Sequence, residues 1–191
     1  SEEGSYQVAV TDGCTGYSNM LTIAVNPLPN PTISSTDALI YCEGEEFSVE
    51  FTINITGNSY IWLLNGIEIE TATQATYVAT EPGTYSVVVT SSGCSGTSNE
   101  LTIETIENPT PEISNGEDPL AYCENQEIST EFSVDITDAE AYQWFLDGVE
   151  IENATESTYT ATNLGVYSVN VTVNGCTGTS NELIVETIAN P

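Results

Sequence analysis

Tyr60-Ile61-Trp62-Leu63-Leu64-Asn65-Gly66 recurs 82 residues later as Tyr142-Gln143-Trp144-Phe145-Leu146-Asp147-Gly148. An Asn-Gly pair between apolar runs favours a two-residue turn joining antiparallel strands. The stretch reads as a strand entering a hairpin, and its recurrence makes the chain a repeat protein.

Other segments keep nearly the same spacing. Gly83-Thr84-Tyr85-Ser86-Val87 returns as Gly165-Val166-Tyr167-Ser168-Val169, and Cys94-Ser95-Gly96-Thr97-Ser98-Asn99-Glu100-Leu101 as Cys176-Thr177-Gly178-Thr179-Ser180-Asn181-Glu182-Leu183. Tyr41-Cys42-Glu43 returns as Tyr122-Cys123-Glu124, and Asn26-Pro27 as Asn108-Pro109 and Asn190-Pro191. Full units are expected at 27–108 and 109–191. Residues 1–26 read as the C-terminal hairpin of a partial unit, because Gly4-Ser5-Tyr6-Gln7-Val8 matches Gly83 to Val87 and Gly13-Cys14 matches Gly93-Cys94. A lone hairpin buries no core, so the expectation is a window onto a longer array.

Within a unit, Phe47, Val49, Phe51, Ile53 and Ile55 alternate with polar residues, as do Tyr85, Val87 and Val89. That period of two marks half-buried strands. Leu101, Ile103 and Thr105 continue it in the last strand. No useful helical period appears. About seven short strands in 82 residues predict an all-β sandwich.

The 191 residues hold 29 carboxylates and no Lys, Arg or His, for a formal charge of −29. Without cations the chain offers no footprint for nucleic acid and no basic patch for anionic lipid. It cannot build a His-based nucleophile, a Schiff base or an imidazole metal site. No run of 18 apolar residues spans a membrane, and no signal peptide is visible at the start. Yet 39% of residues are hydrophobic, with two Trp and ten Tyr, enough for packed cores.

Each unit resembles the immunoglobulin-like repeats of large secreted or surface-anchored bacterial proteins of the Bacteroidetes type, gliding adhesins among them. The matching residues are Cys42-Glu43-Gly44, Trp62 with Asn65-Gly66, Ala75-Thr76-Tyr77, Gly83 to Val87 and Gly93-Cys94-Ser95-Gly96. The absence of Lys and Arg departs from that pattern. The resemblance implies tandem immunoglobulin-like β-sandwiches. It puts Trp62 and Trp144 in the cores on strand C, and Tyr85 and Tyr167 at tyrosine corners opening strand F. The usual B–F cystine positions become Phe51 with Val87 and Phe132 with Val169, all apolar.

The same alignment implies displaced cysteines. It sends Cys42 and Cys94 to opposite poles of one sandwich, more than about 20 Å apart, whereas a disulfide needs Cα atoms within about 7 Å. Tandem stacking would then pair Cys42 with Cys176 between units. Cys94 and Cys14 would bond upstream units, and Cys123 a downstream one. Intradomain pairs Cys42–Cys94 and Cys123–Cys176, or free thiols, stay open as alternatives. Either disulfide pattern implies an oxidising compartment.

The acids carry no site signature. No carboxylate pair is marked as a glycosidase couple, and Asp12-Gly13 lacks the flanking pattern of an aspartic protease. Glu43, Glu45 and Glu46 with Asp138 and Glu140 gather at turns near the junction, where calcium is conceivable; a solvated acidic surface is the plainer account. Asn54, Asn153 and Asn170 stand in Asn-x-Thr sequons. The expected function is structural and non-enzymatic: a rod, stalk or filament segment of an extracellular cell-surface adhesin. It needs no cofactor, and its partners are further copies of the repeat, through lateral or end-to-end assembly, with no nucleic acid and no direct membrane insertion. The alternative is a carbohydrate-binding or spacer module of a secreted bacterial hydrolase, which would need Tyr60, Tyr77, Tyr142 and Tyr159 exposed and coplanar.

Overall fold

The computed structural model describes residues 3–189, and every regular element among them is a strand. The Asn190-Pro191 punctuation lies outside the described residues. β1 (Gly4–Tyr6), β2 (Ala9–Asp12), β3 (Cys14–Tyr17) and β4 (Leu21–Ile23) form an N-terminal hairpin. Next come β5 (Ile33–Ser34), β6 (Ile40–Cys42), β7 (Val49–Ile53), β8 (Ser59–Leu64), β9 (Ile67–Glu68), β10 (Thr76–Ala79), β11 (Gly83–Ser91), β12 (Cys94–Thr97) and β13 (Leu101–Ile106). The last set repeats them as β14 (Ile113–Ser114), β15 (Ala121–Cys123), β16 (Thr130–Val134), β17 (Ala141–Leu146), β18 (Val149–Glu150), β19 (Thr158–Ala161), β20 (Gly165–Val173), β21 (Cys176–Thr179) and β22 (Leu183–Ile188).

Each set builds two sheets. One has the order β10-β7-β5, repeated as β14-β16-β19. The other runs β6-β13-β11-β8-β9 with β12 on β11, repeated as β15-β22-β20-β17-β18 with β21 on β20. β6 lies parallel to β13 and β15 parallel to β22, while the other pairs are antiparallel. This is an all-β immunoglobulin-like fold, present twice.

Side-chain alternation sets the layers. Val49 and Phe51 point inward from β7 while Glu50 and Thr52 face water, so a one-residue slip would bury acid. The Asn65-Gly66 turn has φ of 52° and 78° and pairs Leu64 with Ile67. Both central residues need positive φ in this turn, which explains the dipeptide. Asp147-Gly148 does the same at 51° and 76°.

Contacts group the chain into two compact units. One is Ser1–Leu39 with Phe47–Ile103; the other is Ile40–Glu46 with Glu104–Pro191. In the first, Phe51 stacks on Trp62 at 6.1 Å and tilts on Tyr85 at 5.1 Å between ring centroids. In the second, Phe132 meets Trp144 and Tyr167 at 6.1 and 5.1 Å. Both indole N–H groups are satisfied: Trp62 donates to Gln74 O and Trp144 to Glu156 O, each at 2.9 Å. Trp62, Phe51, Val87, Trp144, Phe132 and Val169 are fully buried. Where a B–F cystine would stand there is packed hydrocarbon.

Candidate functional site

Cys42 and Cys176 are joined by a disulfide with Cα atoms 5.5 Å apart. Cys42 ends β6, level with Ile106 of β13. The turn that follows it is tied at both ends: Glu45 N donates to Cys42 O at 3.1 Å, and Cys42 N donates to the Glu45 carboxylate at 3.1 Å. Glu43 N donates to Ile106 O at 2.8 Å, and Asn108 Nδ2 to Glu43 O at 3.0 Å. Cys176 opens β21 directly after the Asn174-Gly175 turn, whose φ values are 51° and 79°. It is 1% exposed. The Glu140 carboxylate accepts from Gly175 N at 3.1 Å, which pins the same turn.

The bond connects the first sequence repeat to the second and falls inside the second compact unit, because Ile40–Glu46 groups with that unit. The alternative pairs Cys42–Cys94 and Cys123–Cys176 do not form, since Cys42 and Cys176 are bonded to each other. Cys14, Cys94 and Cys123 are free thiols. Cys94 donates to Asn26 O at 3.9 Å, and Cys123 N donates to Gln126 Oε1 at 3.0 Å, the counterpart of the Cys42–Glu45 turn.

Tyr85 and Tyr167 close tyrosine corners. The Tyr85 hydroxyl donates to Glu81 O at 2.8 Å and that of Tyr167 to Asn163 O at 2.9 Å. Burial pushes the Tyr85 hydroxyl up to about 12, with Tyr77 and Glu81 adding to the rise. Tyr167 is raised by burial as well.

Among the described residues no group of three or more His, Cys, Asp and Glu could hold a metal ion. Two acids of the junction set bond backbone instead, Glu45 to Cys42 N and Glu140 to Gly175 N. The four tyrosines that a sugar platform would need are half-buried. The Tyr77 ring packs on Trp62 and Tyr85, and Tyr159 on Trp144 and Tyr167. Tyr60 Oη accepts from Gly57 N, and Tyr142 Oη donates to Ile136 O. Of the sequon residues, Asn54 is exposed but accepts from Thr32 N, Asn153 is exposed at φ 61°, and Asn170 accepts from Thr179 Oγ1.

The Thr-Ser-Asn-Glu-Leu motif marks the repeat in sequence without disclosing its task. Ser98 Oγ accepts from Val87 N at 3.0 Å and donates to Asn99 O. Ser180 does the same with Val169 and Asn181. These bonds bridge the break between β12 and β13, which pair with successive stretches of the same strand, β11. The two preceding glycines face backbone: a Cβ on Gly96 would strike Pro29 O, and one on Gly178 would strike Pro109 O.

No sequence family matches the chain, and no curated protein matches it. Solved structures do resemble it in shape. The I-band fragment I67–I69 of titin shares 13% identity over 85% of this chain and 67% of its own, with a TM-score of 0.46. Three N-terminal domains of the bacteriophage RB49 outer capsid protein Hoc share 16% over 84% and 59%, at 0.43. The fibronectin(III)-like modules of Clostridium thermocellum CbhA share 11% over 82% and 95%, at 0.36.

Proposed function

We propose that this chain is a load-bearing segment of an extracellular array: tandem immunoglobulin-like repeats, bounded at 27–108 and 109–191, forming the stalk or rod of a surface adhesin of the Bacteroidetes type. A structural or interaction module is what the fold itself supports. The observation that carries the mechanical reading is the Cys42–Cys176 bond. It joins positions 134 residues apart, farther than one 82-residue repeat. A pull on the two ends is therefore carried across the cystine, and most of both sandwiches lies inside the closed loop. Disulfides persist in oxidising compartments, which fits export, and 29 unopposed negative charges keep long copies apart in solution.

The test is forced extension of the single chain held by its ends. In reductant, unravelling should release the roughly 134 enclosed residues, about 450 Å at 3.3–3.6 Å per residue. Oxidised, that length should never appear. Release of the same length from oxidised molecules refutes the load-bearing role.

A further inference from the structure

The N-terminal hairpin copies the β11–β13 edge of the first sandwich in register. β1 and β4 pair Gly4 with Ile23 and Tyr6 with Leu21, as β11 and β13 pair Gly83 with Ile103 and Tyr85 with Leu101. β2 and β3 pair Val10 with Gly16 and Asp12 with Cys14, as β11 and β12 pair Val89 with Gly96 and Ser91 with Cys94. Ser18 Oγ even accepts from Val8 N at 3.0 Å, the bond Ser98 makes with Val87. The difference is cover. Val87, Val89 and Ile103 are 0%, 0% and 1% exposed, whereas Val8, Val10 and Ile23 are 62%, 65% and 43% exposed. In the sandwich the facing sheet is β10-β7-β5, whose Phe51 packs on Tyr85 of β11 and on Trp62 of the neighbouring β8. A contiguous apolar face left in water marks a surface built to be covered, and the repeat shows which strands cover it.

Cys94 supplies a second, independent observation. It follows the Ser92-Gly93 turn at φ 52° and 82°, and Cys176 follows Asn174-Gly175 at 51° and 79°. Cys176 bonds the cysteine of a Tyr-Cys-Glu strand, β6, that lies parallel to β13. The hairpin counterpart of β13 is β4, which among the described residues pairs with β1 alone. The Cys94 thiol sits against Asn26 O, just beyond the end of β4.

We propose that the hairpin and Cys94 together form the acceptor for a segment of this same repeat type. The segment is the strand set that precedes the last hairpin of a unit, as residues 27–82 and 109–164 do here. Its inner strands cover Val8, Val10 and Ile23, its Tyr-Cys-Glu strand lies parallel on β4, and its cysteine bonds Cys94. This rests on the repeat reading above and adds the partner and its bond. The covalent step is thiol–disulfide exchange with a small disulfide such as oxidised glutathione. The two protein thiols form one S–S bond and pass two electrons and two protons to the glutathione disulfide, which leaves as two thiols.

The test mixes the full chain carrying Cys123→Ser with a polypeptide of residues 109–164, diluted from urea into glutathione buffer. The expected result is an adduct of one probe per chain that forms only in oxidant and is released by reductant, mapped as a disulfide between Cys94 and the probe's Cys123. Amide exchange at Val8, Val10 and Leu21–Ile23 should slow at least tenfold. Cys94→Ser should keep the slowed exchange and lose the bond; Val8→Asp with Val10→Asp should lose both. Unchanged exchange at the hairpin, or a bond shared equally between Cys14 and Cys94, overturns the proposal. Should it fail while Cys42–Cys176 is intact, the acceptor is refuted and the load-bearing reading stands.

Discussion

Asn99 holds Ile33 by both of its backbone groups. Ile33 N donates to Asn99 Oδ1 at 2.9 Å, and Asn99 Nδ2 donates to Ile33 O at 3.2 Å. Asn181 grips Ile113 the same way, at 2.7 and 3.2 Å. One amide thus ties the short first strand of each sandwich to the start of its last. β5 and β14 are only two residues long, so they have few ladder bonds of their own.

Asn99→Ala should therefore destabilise more than a surface change. It strands the Ile33 N–H at a site 2% exposed, a loss of about 1–3 kcal/mol. Thermal melting would show it, with Asn181→Ala giving a similar loss in the second sandwich. A change within about 0.5 kcal/mol would mean the clamp is idle.

The tyrosine corners predict alkaline sensitivity. The Tyr85 hydroxyl is pushed from its ordinary 10 up to about 12, so the unfolded chain loses this proton first. The stabilisation is whole below pH of about 10 and drains as pH rises toward 12. Tyr85→Phe costs about 0.5–1.5 kcal/mol at neutral pH for the lost bond to Glu81 O, and should flatten the alkaline decline of the melting temperature. An unchanged decline would remove Tyr85 as its cause.

Salt should stabilise this protein. All 29 charged side chains carry one sign, and folding brings them closer together. The Debye length shrinks from about 30 Å to about 10 Å between 0.01 and 0.1 M salt, so the melting temperature should climb by several degrees. A fall over that range would contradict the like-charge account.

Trypsin should leave the whole chain uncut even after reduction and denaturation, since it contains neither Lys nor Arg. Any internal cleavage seen by mass spectrometry with pure enzyme contradicts this.

Most of the fold was legible because the sequence states it twice. The Trp62 and Trp144 stretches, the Asn-Gly and Asp-Gly turns and the alternation around Phe51 each follow from local chemistry, and strands form where they indicate. The crosslink was legible only as one option. Whether Cys42 faces Cys94 or Cys176 depends on which end of a strand each occupies, and a single sequence leaves that register open. The Asn99 and Asn181 clamps were hidden for a different reason. A Ser-Asn pair reads as turn chemistry, and its partner Ile33 lies 66 residues away. The glycines of the same motif, Gly96 and Gly178, likewise answer to backbone that approaches from far along the chain.

The central claim is that the covalent link runs from one repeat to the next. Non-reducing digestion with an acid-specific protease, followed by mass spectrometry, tests it most directly. The account predicts one cystine peptide uniting the segments around Cys42 and Cys176, lost on reduction, with Cys14, Cys94 and Cys123 open to alkylation. A Cys42–Cys94 or Cys123–Cys176 peptide in its place would contradict it.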